Sequence, residues 1–203
     1  MPHLTRAISA HSDRMAQGTS LILAPSLLAA STFYWVNGEY GVTSATLGTL
    51  SMFFWIPALT GLFGLLRDRT PRYATYGLWL AVFGCISGVC FMFLGYLTAV
   101  FNISHADYLR GLAGYPLSSQ VLLFGSGPIF PLSLLVLGIT LLRTRAVPAW
   151  IAILLCIGAV AFPASRIPRA AGIAHLADLA LLLPTAAVGM MMLRSRSAEV
   201  NAR

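Results

Sequence analysis

Lysine is absent from this chain of 203 residues, and only six positions are acidic. Charged residues make up 9% of the sequence against 58% hydrophobic, with a mean hydropathy of +0.80. That scarcity excludes an ordinary water-exposed surface and makes a membrane protein the default. Basic runs are also lacking: none exceeds Arg-x-Arg, and the arginines sit at the ends of apolar segments. They mark topology, so the formal charge of +7 does not imply a nucleic-acid partner. Cys85, Cys90 and Cys156 form no Cys-x-x-Cys pair, which excludes a disulfide framework and a thiolate metal site. They read as small core residues. There is no His-x-x-x-His spacing and only one histidine in or near an apolar run, which argues against a dedicated metal site and against haem held by two histidines. A single axial ligand from His175 is the one haem arrangement left open, and the sequence assigns no cofactor.

What the sequence does hold is a series of apolar runs, most near the roughly 17 to 25 residues that span a bilayer core and the fifth in order shorter. They cover about 20–36, 46–66, 76–101, 121–142, 150–162 and 170–193. The expected fold is therefore all-α: a polytopic membrane protein with six transmembrane helices in three hairpins. A polar tail occupies 1–18, the bundle 19–194 and a second tail 195–203. A cleaved leader ending near Ala30 is the rival reading of the first run. Hydrophobicity continues through Phe33-Tyr34-Trp35, however, which suits an interfacial anchor better.

Three runs end on the same phrase: Leu66-Arg67-Asp68-Arg69, Leu142-Arg143-Thr144-Arg145 and Leu193-Arg194-Ser195-Arg196. Ten of the thirteen arginines fall in the tails and the alternate connections that hold these phrases. By the positive-inside rule both termini are expected in the cytoplasm. Pro57, Pro131 and Pro184 lie ten to twelve residues before the clamps, roughly 15 to 18 Å along a helix, and should each break a hydrogen-bond ladder in mid-membrane. Gly77, Gly84, Gly88 and Gly95 fall near one face of the third helix, where another helix can approach closely. That face serves either packing within the bundle or a seam for a membrane partner or a second copy.

His175 and Asp178 are three residues apart and share a helix face. Measured back from Arg194, Asp178 is about 24 Å from the arginine-rich edge and His175 about 28 Å. A carboxylate at that depth costs a few kcal/mol and needs a partner, for which Arg166, Arg169 and His175 are the candidates. The long third connection brings His105, Asp107, Tyr108 and Arg110 to the same expected outer side. Together these residues are candidates for ligand binding or proton handling. Gly125-Ser126-Gly127-Pro128 interrupts the fourth run near its outer end and reads either as a broken helix of the kind transporters use or as an entry turn.

No nucleophile stands in a recognised setting, so the sequence leans away from an enzyme. The leading expectation is a non-catalytic accessory subunit of a membrane complex or a binder of lipid or another lipophilic ligand. The alternatives are a transporter using the outer cluster, and a membrane-embedded enzyme in which Arg166 and Arg169 hold an anionic lipid-like substrate. The general hydropathy is that of small multi-span proteins of a bacterial inner membrane.

Overall fold

The computed structural model describes residues 2–36 and 38–201, with side chains described over 12–36 and 38–194. Asn37, part of the expected first turn, and the side chains of Arg6, Arg196 and Arg203 lie outside the described residues. The chain opens with α1 (Pro2–Phe33), followed by a hairpin of two short strands, β1 (Trp35–Val36) and β2 (Glu39–Tyr40), then α2 (Val42–Gly64) and α3 (Pro71–Val100). Two short helices follow, α4 (His105–Ala113) and α5 (Pro116–Ser119), and then a π-helical turn over Gln120–Phe124. The long helices α6 (Ile129–Thr144), α7 (Ala149–Arg166) and α8 (Ala171–Asn201) complete the fold.

Among the described residues six long helices, α1, α2, α3, α6, α7 and α8, close into a ring. Each packs on the next long helix in sequence, and α8 packs back along α1. Short connections enforce the alternation. Pro71 begins α3, where its missing N–H needs no partner, and Pro168 cannot continue α7, so the chain turns there and α8 starts at Ala171. The result has two unlike ends. One carries the connection 65–70, the α6–α7 connection and the start of α1; the other carries the β-hairpin, α4 and the connection 167–170.

Among the described residues, five segments are long and apolar enough to cross a membrane: Val42–Gly64, Pro71–Val100, Pro116–Thr144, Ala149–Arg166 and Ala171–Arg194. That is one fewer than the six expected. The missing one is α1, whose apolar half is diluted by Thr19, Ser20, Ser26, Ser31 and Thr32. Apolar side chains lie on the outside of the ring as well as within it: Trp79 is 74% exposed and Phe53 62%, while Trp55 is fully buried against Phe130. A large apolar exterior of this kind needs lipid rather than water as its solvent. The chain is an all-α, multi-pass membrane protein.

In lipid, helices associate through close packing and hydrogen bonds rather than through hydrophobic burial. The four glycines of α3 show the first. A Cβ on Gly84 would lie 2.6 Å from the Phe130 nitrogen, one on Gly88 2.8 Å from Met52 Sδ, and one on Gly77 2.7 Å from the Phe63 ring. At Gly95 it would stand 3.0 Å from Tyr40 Cβ. Of the two uses read for the stripe, packing within the bundle is the one these contacts show, with α2, α6 and the hairpin of the same chain against it. Ser51 shows the second, donating to the Ala24 carbonyl at 2.7 Å and tying α2 to α1.

One expectation about local structure, for Pro131, is corrected, and two polar stretches carry helix. Residues before Ser20 are helical from Pro2, because the backbone of α1 continues alongside α2 and α8; Gly18 and Gln17 meet Leu193 and Gly61 there. Pro131 breaks no ladder in mid-helix, since α6 begins only at Ile129 and proline in a first turn interrupts nothing. Pro57 and Pro184 do lie inside α2 and α8. The long third connection is structured too. Ser104 caps α4 by accepting from the Asp107 N–H at 3.2 Å and donating to Asp107 Oδ2 at 2.6 Å.

Candidate functional site

The buried charges sit at the hairpin end. Arg166 occupies the last turn of α7, where a cation is favoured by the helix dipole, and the four-residue connection folds α8 back beside it. This brings Arg166 Nη2 to 2.6 Å from Asp178 Oδ1, with the two side chains 10% and 1% exposed. Thr32, near the end of α1, donates its hydroxyl to Asp178 Oδ2 at 2.6 Å. Arg166 also donates to Ser165 Oγ at 3.0 Å and to the Ala174 carbonyl at 3.4 Å. Its guanidinium lies 4.4 Å from the Phe162 ring centroid and 5.5 Å from that of Trp35. Three helices and the hairpin therefore meet on one ion pair, as a buried charge requires. Arg166 Nε and Trp35 Nε1 are buried donors with no acceptor among the described residues.

A second cluster lies beside the first. Arg169 adopts a left-handed backbone, φ 56°, in the connection between α7 and α8. Gly38, φ 78°, lets the hairpin press against it: a Cβ there would stand 3.1 Å from Arg169 Cβ. The approach pairs Glu39 Oε1 with Arg169 Nη1. Arg169 Nη2 also reaches His105 Nδ1 at 3.1 Å, and Glu39 Oε1 lies 3.6 Å from the same nitrogen. Partial burial lowers Arg169 from its ordinary pKa without bringing an arginine near deprotonation. Tyr108 meets the His105 ring edge-on, with centroids 4.8 Å apart.

Glu39, His105, Tyr108 and Arg169 line a cavity of about 340 Å³, whose other wall is α3 through Phe91, Leu94 and Ala99. Tyr40 joins the cavity to the buried pair. It lines the cavity, packs on Trp35 with centroids 5.3 Å apart, and has a phenol that feels the Arg166 charge. Burial pushes the Tyr40 phenol above its usual pKa, and the Arg166 charge opposes part of that rise.

Of the residues singled out from sequence, Arg166 is joined to Asp178 and Arg169 to His105. Asp107 and Arg110 belong to neither cluster; they pair with each other at 2.6 Å on the open face of α4, 56% and 79% exposed. His175 stacks on Phe33, centroids 4.3 Å apart, while Asp178 takes Arg166 and Thr32 as partners instead. Gly125, Ser126, Gly127 and Pro128 form a turn between the π-helical segment and α6. There Ser126 Oγ lies 2.5 Å from Ser87 Oγ, and the Gly125 and Gly127 amides donate to Gln120 and Leu123. These two amides are satisfied within the chain.

Sequence reasoning missed Glu39 and Thr32. Glu39 carried a signal: with Asp107 and Asp178 it is one of three acidic residues on the side that holds three arginines, and all six are paired one to one. Among the described residues no group of three or more His, Cys, Asp or Glu is placed to hold a metal ion. No protein-family model, curated protein or solved structure matches the chain.

Proposed function

We propose that this protein is a six-span membrane protein, three hairpins with both termini in the cytoplasm, that binds a lipid or another lipophilic ligand in the cavity at its hairpin end. The carrying observation is that cavity: about 340 Å³, apolar along α3 and polar where β2, α4 and the α7–α8 connection meet. An apolar wall with a few convergent polar groups is the usual make-up of a small-molecule site, and the volume is at the lower end of the ~300–1,000 Å³ such sites span. It suits a head group and its first carbons, with the tail left in the bilayer.

The alternative roles find less support. A transport path needs polar groups through the thickness of the membrane, whereas the buried interior toward the arginine-rich end is Leu59, Leu62, Phe63, Leu66, Leu137 and Leu141. An enzyme on anionic lipid would need free guanidinium groups, whereas Arg166 and Arg169 are each engaged by a carboxylate. An accessory subunit remains the reading to test against. Gentle extraction followed by mass spectrometry of retained lipids and proteins separates the two. The ligand reading expects a retained lipophile that Ala99→Trp, filling the cavity, displaces. A stoichiometric protein partner with no Ala99→Trp-sensitive lipophile would overturn it.

A further inference from the structure

The chemistry at the cavity's polar rim narrows the kind of head group it accepts. Arginine carries no lone pair, so its contact with His105 Nδ1 at 3.1 Å makes Nδ1 the acceptor. In the tautomer that serves this contact the ring proton is on Nε2, and no described residue pairs with that N–H. Beside it, the Arg169 charge is cancelled by Glu39. The rim thus offers a neutral N–H donor and no net charge. An anionic head group needs a counter-charge, and the one cation lining the cavity, Arg169, is already held by Glu39. A neutral oxygen acceptor needs none. The partners are also held in place: Arg169 sits in the left-handed region against Gly38, and His105 begins a capped helix.

We propose that the cavity takes a neutral, carbonyl-bearing lipophile, its carbonyl oxygen accepting from His105 Nε2–H, and that the Glu39–Arg169 pair turns anionic head groups away. The inference rests on the ligand-binding reading above. Two sources offer the same chemistry: an ester carbonyl of a neutral glyceride, or a ring carbonyl of a lipophilic quinone.

The test uses the full chain in lipid nanodiscs at neutral pH, with spin-labelled stearic acid and its methyl ester as probes that differ only in head-group charge. The ester is expected to bind the wild type at least about tenfold more tightly than the acid. Glu39→Gln should raise the affinity for the acid by a similar factor while leaving the ester nearly unchanged. His105→Ala should weaken the ester, and His105→Gln, which keeps an N–H, should restore part of it. Dioleoylglycerol and a decyl-substituted benzoquinone then compete for the bound ester. Displacement by either supports carbonyl recognition and names its source, and displacement by neither counts against it. An acid that binds as well as the ester, or an acid indifferent to Glu39→Gln, overturns the head-group inference and leaves lipophile binding standing. If neither probe binds any variant, both fall.

Discussion

Arg166 Nη2 and Asp178 Oδ1, 2.6 Å apart, tie the end of α7 to α8 two turns after that helix begins. Each side chain also reaches α1 through Thr32. Removing one member leaves the other charged and sealed from solvent, which costs roughly 3–5 kcal/mol, whereas replacing both with apolar residues of similar size is often nearly neutral. Asp178→Ala and Arg166→Ala should therefore each lower thermal stability in detergent sharply. The double variant Arg166→Met, Asp178→Leu should recover most of the loss. Costs that simply add across the double mutant would show that the two side chains act independently.

At Gly84 the helices α3 and α6 meet backbone to backbone. The atoms a Cβ would meet are the Phe130 N and Cα, at 2.6 and 2.8 Å, and backbone cannot swing aside as a flexible side chain can. Gly84→Ala should cost about 1–3 kcal/mol through overpacking, and Gly84→Leu more. Gly64→Ala is the control, since nothing lies within 4 Å of the Cβ position there. Unfolding of the three proteins in mixed detergent and sodium dodecyl sulfate would rank them.

Much of the frame is legible in the sequence because the bilayer imposes one requirement on every segment. A chain that cannot leave backbone groups unpaired in lipid must be helical wherever it is apolar for long enough, and so the five most apolar helices stand out. α1 is harder to read, since its serines and threonines serve neighbours: Ser51 bonds the α1 backbone and Thr32 bonds Asp178. Its polarity is spent on contacts that hydropathy cannot see. At the site, the depth of Asp178 pointed to Arg166 because both lie in adjoining helices. Glu39 depends instead on a hairpin folding across to a connection some 130 residues later, a juxtaposition that no local spacing encodes.

Tyr40 gives a pH dependence whose sign follows from burial. Its pKa is raised in the folded protein above an ordinary value near 10. Below that value the phenol is protonated in both folded and unfolded chains, and its contribution to stability is fully present. As the pH rises further the unfolded chain ionises first, so stability falls until the folded phenol ionises too. Tyr40→Phe removes the hydroxyl that interacts with the Arg166 charge, so it should lower the neutral-pH stability and flatten the alkaline fall. Tyr108, raised by burial as well, would leave a residual slope. Thermal melts between neutral pH and pH 11 would show whether the two curves converge.

The proposed topology can be tested directly by labelling. At the hairpin end Arg110, Arg166 and Arg169 each hold a carboxylate, leaving the formal net charge of +7 to the other segments of the sequence. Among the described residues no ion pair joins Arg67, Arg69, Arg72, Arg143 or Arg145 to a carboxylate. The positive-inside rule reads the number of arginines, and the proposed topology, with the hairpin end outside, rests on that number. In a background with Cys85, Cys90 and Cys156 changed to alanine, Tyr115→Cys and Leu117→Cys, at sites 73% and 78% exposed, should react with a membrane-impermeant maleimide on intact cells. Arg69→Cys should react only after permeabilisation. The reverse pattern would put the cavity on the cytoplasmic side, and labelling of Tyr115→Cys and Arg69→Cys from the same side would rule out the three-hairpin arrangement itself.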